Sequence, residues 1–174
     1  MITSQLPRPV TLYRANTPRY ASTPLSGAGA ARAGGRFNRP GIDALYLSLE
    51  LETAVAEYQQ TDSLLPPLTL CSYLAQVPPL VDLRRLTEGT WNELWQDWNT
   101  DWRSLWFNEH VEPPSWVLSD VVRQAGHCGI IFPSMIRSEG TNLVLFRDLF
   151  TPTDGIEVND PLHVLPKNQA SWTV

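Results

Sequence analysis

Apolar and polar residues alternate in "PVTLYRA" (residues 9–15), which predicts a strand with Val10, Leu12 and Arg14 on one face. An arginine that shares a face with two core residues needs a partner or a lined cleft, because an unpaired buried charge is costly. "ALYLS" (44–48) repeats the alternation, with Leu45 and Leu47 on one face and Tyr46 on the other. Further strands are expected at 68–77, 80–83, 128–132 and 142–146. "LETAVAEYQQ" (51–60) is helical in propensity, with Glu50 and Glu52 near its start, where the helix dipole favours anions. "SWVLSDVVRQAG" (115–126) reads as a second helix, with Ser115 as N-cap and Gly126 as its stop. Trp91, Trp95, Trp98, Trp102 and Trp106 fall on a stripe of roughly 80° at ~100° per residue, predicting an amphipathic helix over 91–106. Such a stripe serves either as core packing or as a partner-binding face. Residues 16–43 lack periodicity and read as one long loop, and a loop of that length is usually functional or disordered. In the Pro-containing tail from about 151, an edge strand is expected around "LHVL" (162–165). The elements mix without regular βαβ alternation, so the expected class is α+β in one domain spanning 1–174.

Composition narrows the function classes. Apolar residues make up 43% and charged residues 18%, a globular balance, and no apolar run approaches the ~18–20 residues of a membrane span. The start "MITSQLPRPV" lacks a secretory pattern, and Cys71 and Cys128 have no CxxC partner, so two reduced thiols and a cytoplasmic location are expected. Net charge is −5, which disfavours generic nucleic-acid binding, but its distribution is uneven. Residues 1–42 carry six arginines and no acid, so this quarter is +6 and the remainder is −11. Twelve of the thirteen basic residues are arginine, the side chain suited to forked contact with phosphate or carboxylate.

Three arginines, Arg32, Arg36 and Arg39, sit in the glycine-rich stretch "GAGAARAGGRFNRPG" (27–41). It is no P-loop, because no Gly-Lys-Ser/Thr follows, and no dinucleotide fingerprint, because Arg32 stands at the third glycine position and no helical pattern follows. His110, His127 and His163 are scattered without metal-ligand spacing, so no metal is expected, and no G-x-S-x-G elbow is present. Among the acids, Glu57 stands out because apolar residues and an aromatic flank it; a merely solvent-facing position remains open.

The stretch "SGAGAARAGGRFNRPGIDALYLSLELETAVAEY", with "LYRA" before it and "GIIFPSMIRSEGTNLVLF" after it, resembles the RES domain family. The set is the GGR-(F/W)-N-x-x-G block, a tyrosine ten residues on and a glutamate eleven further. The tryptophan-rich segment near 91–106 and the tail lie outside the resemblance. By resemblance the fold is similar to diphtheria-toxin-type ADP-ribosyltransferases, a split, twisted, mixed β core with flanking helices. Many members are toxins of toxin–antitoxin pairs that consume NAD+ by phosphorolysis or hydrolysis, and some modify proteins. The resemblance further implies an Xre-like antitoxin that covers the cleft, with oligomers open within the complex. Carried over by motif, Arg36, Tyr46 and Glu57 become the catalytic candidates, with Arg14, Ser134 and Asn142 as substrate-binding candidates; Arg32 joins the substrate-binding set as an arginine near them in the glycine-rich stretch. Ser138 competes with Ser134 for the family serine, and Asn142 is assigned no chemistry.

Chemistry gives these residues coherent tasks. Arg14, Arg36 and the nearby Arg32 suit a pyrophosphate. Nicotinamide leaves as a neutral molecule and needs no acid, so one carboxylate, Glu57, suffices to stabilise the developing oxocarbenium charge. Tyr46 would stack on the nicotinamide or orient it, and Ser134 would bond a ribose or carboxamide group. No cofactor is expected: NAD+ is the substrate and inorganic phosphate a candidate co-substrate. Two alternatives stand beside this reading: mono-ADP-ribosylation of a protein, and a non-catalytic module that binds a partner and phosphate.

Overall fold

A computed structural model describes residues 1–88, 91 and 93–170. The chain forms, in order, β1 (Thr3–Ser4), β2 (Val10–Asn16), α1 (Ala28–Ala33), β3 (Leu45–Ser48) and α2 (Leu51–Gln59). There follow β4 (Thr69–Gln76), β5 (Leu80–Asp82), α3 (Pro114–Gln124), β6 (Gly129–Pro133), β7 (Thr141–Leu145) and β8 (Gly155–Val158). The strands make one mixed sheet in the order β1-β5-β6-β7-β3-β2-β4-β8, antiparallel except for β5–β6. The α+β class read from the sequence is therefore the class observed. The sheet narrows sharply at its centre: β2 and β3 are joined by the single pair Tyr13↔Ser48, whereas β2 pairs with β4 along seven positions.

Strand alternation sorts the core into two clusters. Leu12, Leu45, Leu47, Tyr73, Leu143 and Leu145 pack in one. Ile130, Phe132, Val144 and Phe146 point to the other, where they meet Phe37, Trp98 and the α3 residues Leu118 and Val122. Both α3 residues are fully buried, each worth about 1.5–3 kcal/mol of apolar transfer. Arg14 does share its face with Val10 and Leu12, and its Nη1 donates to the carbonyls of Pro24 (3.2 Å) and Ser26 (2.8 Å), which answers the cost of that position. Cys71 and Cys128 are free and buried.

Four local expectations are corrected. The span 16–43 is not one loop: it contains a 3₁₀ turn at Pro18–Tyr20 and α1, whose sequence AGAARA is helical through alanine propensity without any apolar stripe. The tryptophan segment is not one helix. A 3₁₀ segment (Glu93–Asn99) is followed by a π-type segment (Ser104–Glu109), and position 92 lies outside the described residues. A continuous helix would send the Ser104 N–H to the Thr100 carbonyl. Instead the carbonyls of Trp98 and Thr100 accept from Arg36 Nη1 (3.3 and 3.0 Å), and Asp101 Oδ1 takes the N–H groups of Arg103 and Ser104. The tryptophans consequently part company: Trp98 packs beside Phe37 and Phe132, and Trp106 against Trp116.

Helix α3 begins at Pro114 with Pro113 as its N-cap, so Ser115 is not the cap; its hydroxyl bonds the Arg36 carbonyl (2.5 Å). Gly126, at φ 82°, does follow the helix end, a conformation glycine favours. Finally, "LHVL" is not a strand. The N–H groups of Val164 and Leu165 turn into the Asp160 carboxylate, and the edge strand is β8, paired to β4. Positions 171–174 of the tail lie outside the described residues. Among the described residues no helix is long and apolar enough to cross a membrane.

Candidate active site

Beside the narrow joint, where β2 and β3 diverge, lies a cavity of about 630 Å³. Arg14 enters from β2, Tyr46 and Ser48 from β3, Glu57 from α2, Asn142 from β7 and Arg36 from the turn after α1. The volume falls within the ~300–1,000 Å³ typical of small-molecule sites.

Glu57 is held in the wall from two other segments of the chain. Its Oε1 accepts from Ser134 Oγ (2.7 Å) and from Asn142 Nδ2 (2.5 Å). Ser134 in turn accepts from the N–H groups of Ile136 and Arg137 (3.2 and 3.0 Å), so its one proton is directed at Glu57. The helix carrying Glu57 is pinned at its start, where Glu50 Oε2 accepts from Thr53 Oγ1 and from the N–H of Thr141 in β7, both at 2.8 Å.

Tyr46 organises the glycine block. Its hydroxyl accepts from the N–H of Phe37 and donates to Asn38 Oδ1, both at 2.8 Å. Asn38, almost fully buried, uses Nδ2 for the carbonyls of Ala30, Arg39 and Ile42. Gly35 is required here: a Cβ would lie 2.5 Å from Asn38 Oδ1 and 2.6 Å from the Tyr46 hydroxyl. The Gly35 carbonyl accepts from the Trp116 indole N–H (2.7 Å), and Arg39 pairs with Asp120 and Glu112, so the block is fastened to α3 and the chain before it.

Burial sets the electrostatics. It pushes the Arg14 and Arg36 guanidinium pKa values below their ordinary value, a bias that Glu57 partly opposes at Arg36. Both stay charged, since arginine does not deprotonate in proteins. Two incompletely hydrated cations facing one cavity favour an anionic ligand. Burial also drives the Tyr46 phenol well above its usual range, which keeps it a donor to Asn38.

Of the residues chosen from the sequence, Arg14, Arg36, Tyr46, Glu57 and Asn142 border this single cavity. Arg32 does not; it is exposed on α1, because the helix turns it outward. Ser134 does not border the cavity; its hydroxyl donates to Glu57 Oε1. Ser138 does not border the cavity either. Reading the sequence missed Ser48, Trp102 and Phe107, which also line the cavity, and gave Asn38 no task although it closes the GGRFN block.

An α+β chain whose narrowed sheet gathers one carboxylate and three arginines, Arg14, Arg36 and Arg103, around a pocket defines a class of ligand-cleft protein, and comparison with known proteins gives it a family. The chain belongs to the RES domain family, whose model matches residues 11–164. Among solved structures it is similar to a chain in the crystal structure of the M. tuberculosis MbcT–MbcA toxin–antitoxin complex. That likeness has a TM-score of 0.64 at 20% identity, covering 91% of this chain and 84% of the other, and at that identity it speaks for a shared fold. Comparison with curated proteins returned no significant match.

Proposed function

We propose that this protein is the toxin of a toxin–antitoxin pair and that it degrades NAD+ by cleaving the bond between nicotinamide and ribose. The observation that carries the reading is Glu57, fixed through Oε1 by Ser134 and Asn142 in a cavity that Arg14 and Arg36 also border. In this reading Arg14 and Arg36 hold the pyrophosphate. Glu57, through Oε2, binds a ribose hydroxyl and stabilises positive charge as it develops at C1′. The C1′–N bond breaks with its electron pair moving to the pyridinium nitrogen, so nicotinamide departs neutral. Water or inorganic phosphate then adds to C1′ and loses its proton to solvent, giving ADP-ribose or its 1″-phosphate. Family membership and the toxin–antitoxin complex of the structural neighbour support the toxin role and an antitoxin partner; the resemblance to RES toxins makes that partner an Xre-like protein covering the cavity mouth.

The test is to incubate the purified chain with NAD+, with and without phosphate, and to follow nicotinamide release. Glu57→Gln is expected to slow release by about 10²–10³-fold, the range for losing one preorganised electrostatic group. Label transferred from NAD+ to a lysate protein, without free ADP-ribose, would instead establish mono-ADP-ribosylation. A Glu57→Gln chain as growth-inhibitory as the parent would leave only a binding module. That last reading relied on a tryptophan face for a partner, and two of its tryptophans, Trp98 and Trp102, are buried in the protein itself.

A further inference from the structure

Asn142 is bonded on both sides of its amide. Nδ2 donates to Glu57 Oε1 (2.5 Å), and Oδ1 accepts from Ser48 Oγ (2.7 Å). Both residues are nearly inaccessible, Ser48 at 3% and Asn142 at 6%, and they are directly opposed across the β3–β7 pair. Ser48 is also the residue through which β3 meets β2, opposite Tyr13, so its place is fixed by three strands at once.

An amide offers a carbonyl oxygen at one end and an NH2 at the other, and a 180° turn exchanges them. A carboxylate only accepts, so the NH2 end must face Glu57 for the two to attract. That orientation puts Oδ1 in the protein interior, where a carbonyl oxygen without a donor is costly. The Ser48 hydroxyl is the donor it meets.

We propose that Ser48 is a positioning residue for the carboxylate: by donating to Asn142 Oδ1 it holds the amide with its NH2 on Glu57, and so fixes where the free oxygen of Glu57 meets the substrate. This rests on the reading of Glu57 given above. Ser48, Asn142 and Glu57 form one donor chain, and each bond in such a chain polarises the next. Ser134 holds the same Oε1 from a separate turn, so losing Ser48 loosens the carboxylate without freeing it. The mispositioned group no longer tracks the charge that appears at C1′, and the loss falls on kcat rather than on substrate affinity.

The experiment compares Ser48→Ala, Asn142→Ala, the double variant and Ser48→Thr, all first checked for a cooperative melt. Nicotinamide release by Ser48→Ala is expected to show kcat about tenfold lower with KM nearly unchanged. The double variant should be no slower than Asn142→Ala, because Ser48 acts through Asn142. Ser48→Thr, which keeps the hydroxyl, should recover most of the loss. A rise in KM alone, or losses that multiply in the double variant, overturns the proposal. A second readout needs no turnover. The Asn142 side-chain NH2 signals in a ¹H–¹⁵N spectrum, assigned by their disappearance in Asn142→Ala, should be protected from solvent exchange in the parent and in Ser48→Thr and unprotected in Ser48→Ala. Unchanged protection in Ser48→Ala overturns the positioning role. A parent that releases no nicotinamide overturns the proposed reaction, while these signals still decide the amide's orientation.

Discussion

Replacing Tyr46 by phenylalanine separates an architectural tyrosine from one whose only duty is to meet a ligand. The ring, which borders the cavity, stays; the hydroxyl, which does not stand free, goes. Its loss strands two groups: the N–H of Phe37, a fully buried residue, and Oδ1 of Asn38, exposed by only 1%. A buried polar group deprived of its partner costs about 1–3 kcal/mol. Discounted for the slightly more apolar phenyl ring, the sum is roughly 2–4 kcal/mol, a large share of the ~5–15 kcal/mol by which domains are stable. For a chain of this size that corresponds to a melting temperature lower by roughly 5–15 °C. Calorimetry and urea unfolding at constant m-value read the change directly. Adding Asn38→Ala to Tyr46→Phe should cost less than the two changes separately, because they share a bond. A Tyr46→Phe protein that melts within about 1 °C of the parent would refute the assignment and return Tyr46 to a purely ligand-facing role.

Three further outcomes follow from the same geometry. Gly35→Ala should lower stability by about 1–3 kcal/mol through overpacking against Tyr46 and Asn38, whereas Gly155→Ala, whose added methyl meets open space, should leave the melt unchanged. Burial pushes the Cys71 thiol up and the Cys128 thiol up to about 11, so at pH 8 an aromatic disulfide reagent should label neither in the native protein and both in denaturant. Burial raises the Asp82 carboxyl, but the bonds from Arg84 outweigh it and the net shift is downward; Arg123 lowers Asp148 likewise. Because these folded values lie below the unfolded ones, their stabilisation is complete at neutral pH and is lost as pH falls below about 4. Urea midpoints measured from pH 7 to pH 3 should drop accordingly, and less steeply in Asp82→Asn.

The elements with a strong internal rhythm were legible in the sequence. Leu45 and Leu47 against Tyr46 gave the strand and the opposition of its two faces, and the strand expected at 128–132 is found at Gly129–Pro133. Arg14 among core positions called for a partner or a lined cleft, and it has both: the carbonyls of Pro24 and Ser26, and the cavity. Helix α1 escaped because AGAARA has no apolar face to reveal it; alanine is the strongest helix former, but propensity over six residues without periodicity is a weak signal. The tryptophan stripe misled because a 3.6 period is necessary for a helix but does not prevent a distant side chain, here Arg36, from taking the carbonyls the helix needs. Ser48 and Asn38 were invisible for a related reason. Their importance comes from partners 94 and 8 residues away, Asn142 and Tyr46, and no local pattern encodes such partners.

The single Tyr13↔Ser48 junction has a consequence for how ligand recognition in this protein is to be dissected. Beyond that one pair, Ala15 and Leu47 line the pocket from strand margins that the β2–β3 ladder does not join. Ala15 and the lining glycines Gly29, Gly34 and Gly35 present to a small molecule little but main-chain atoms. Alanine replacement cannot delete them, so a scan of the pocket will account for less binding than the pocket provides, and the shortfall belongs to the main chain.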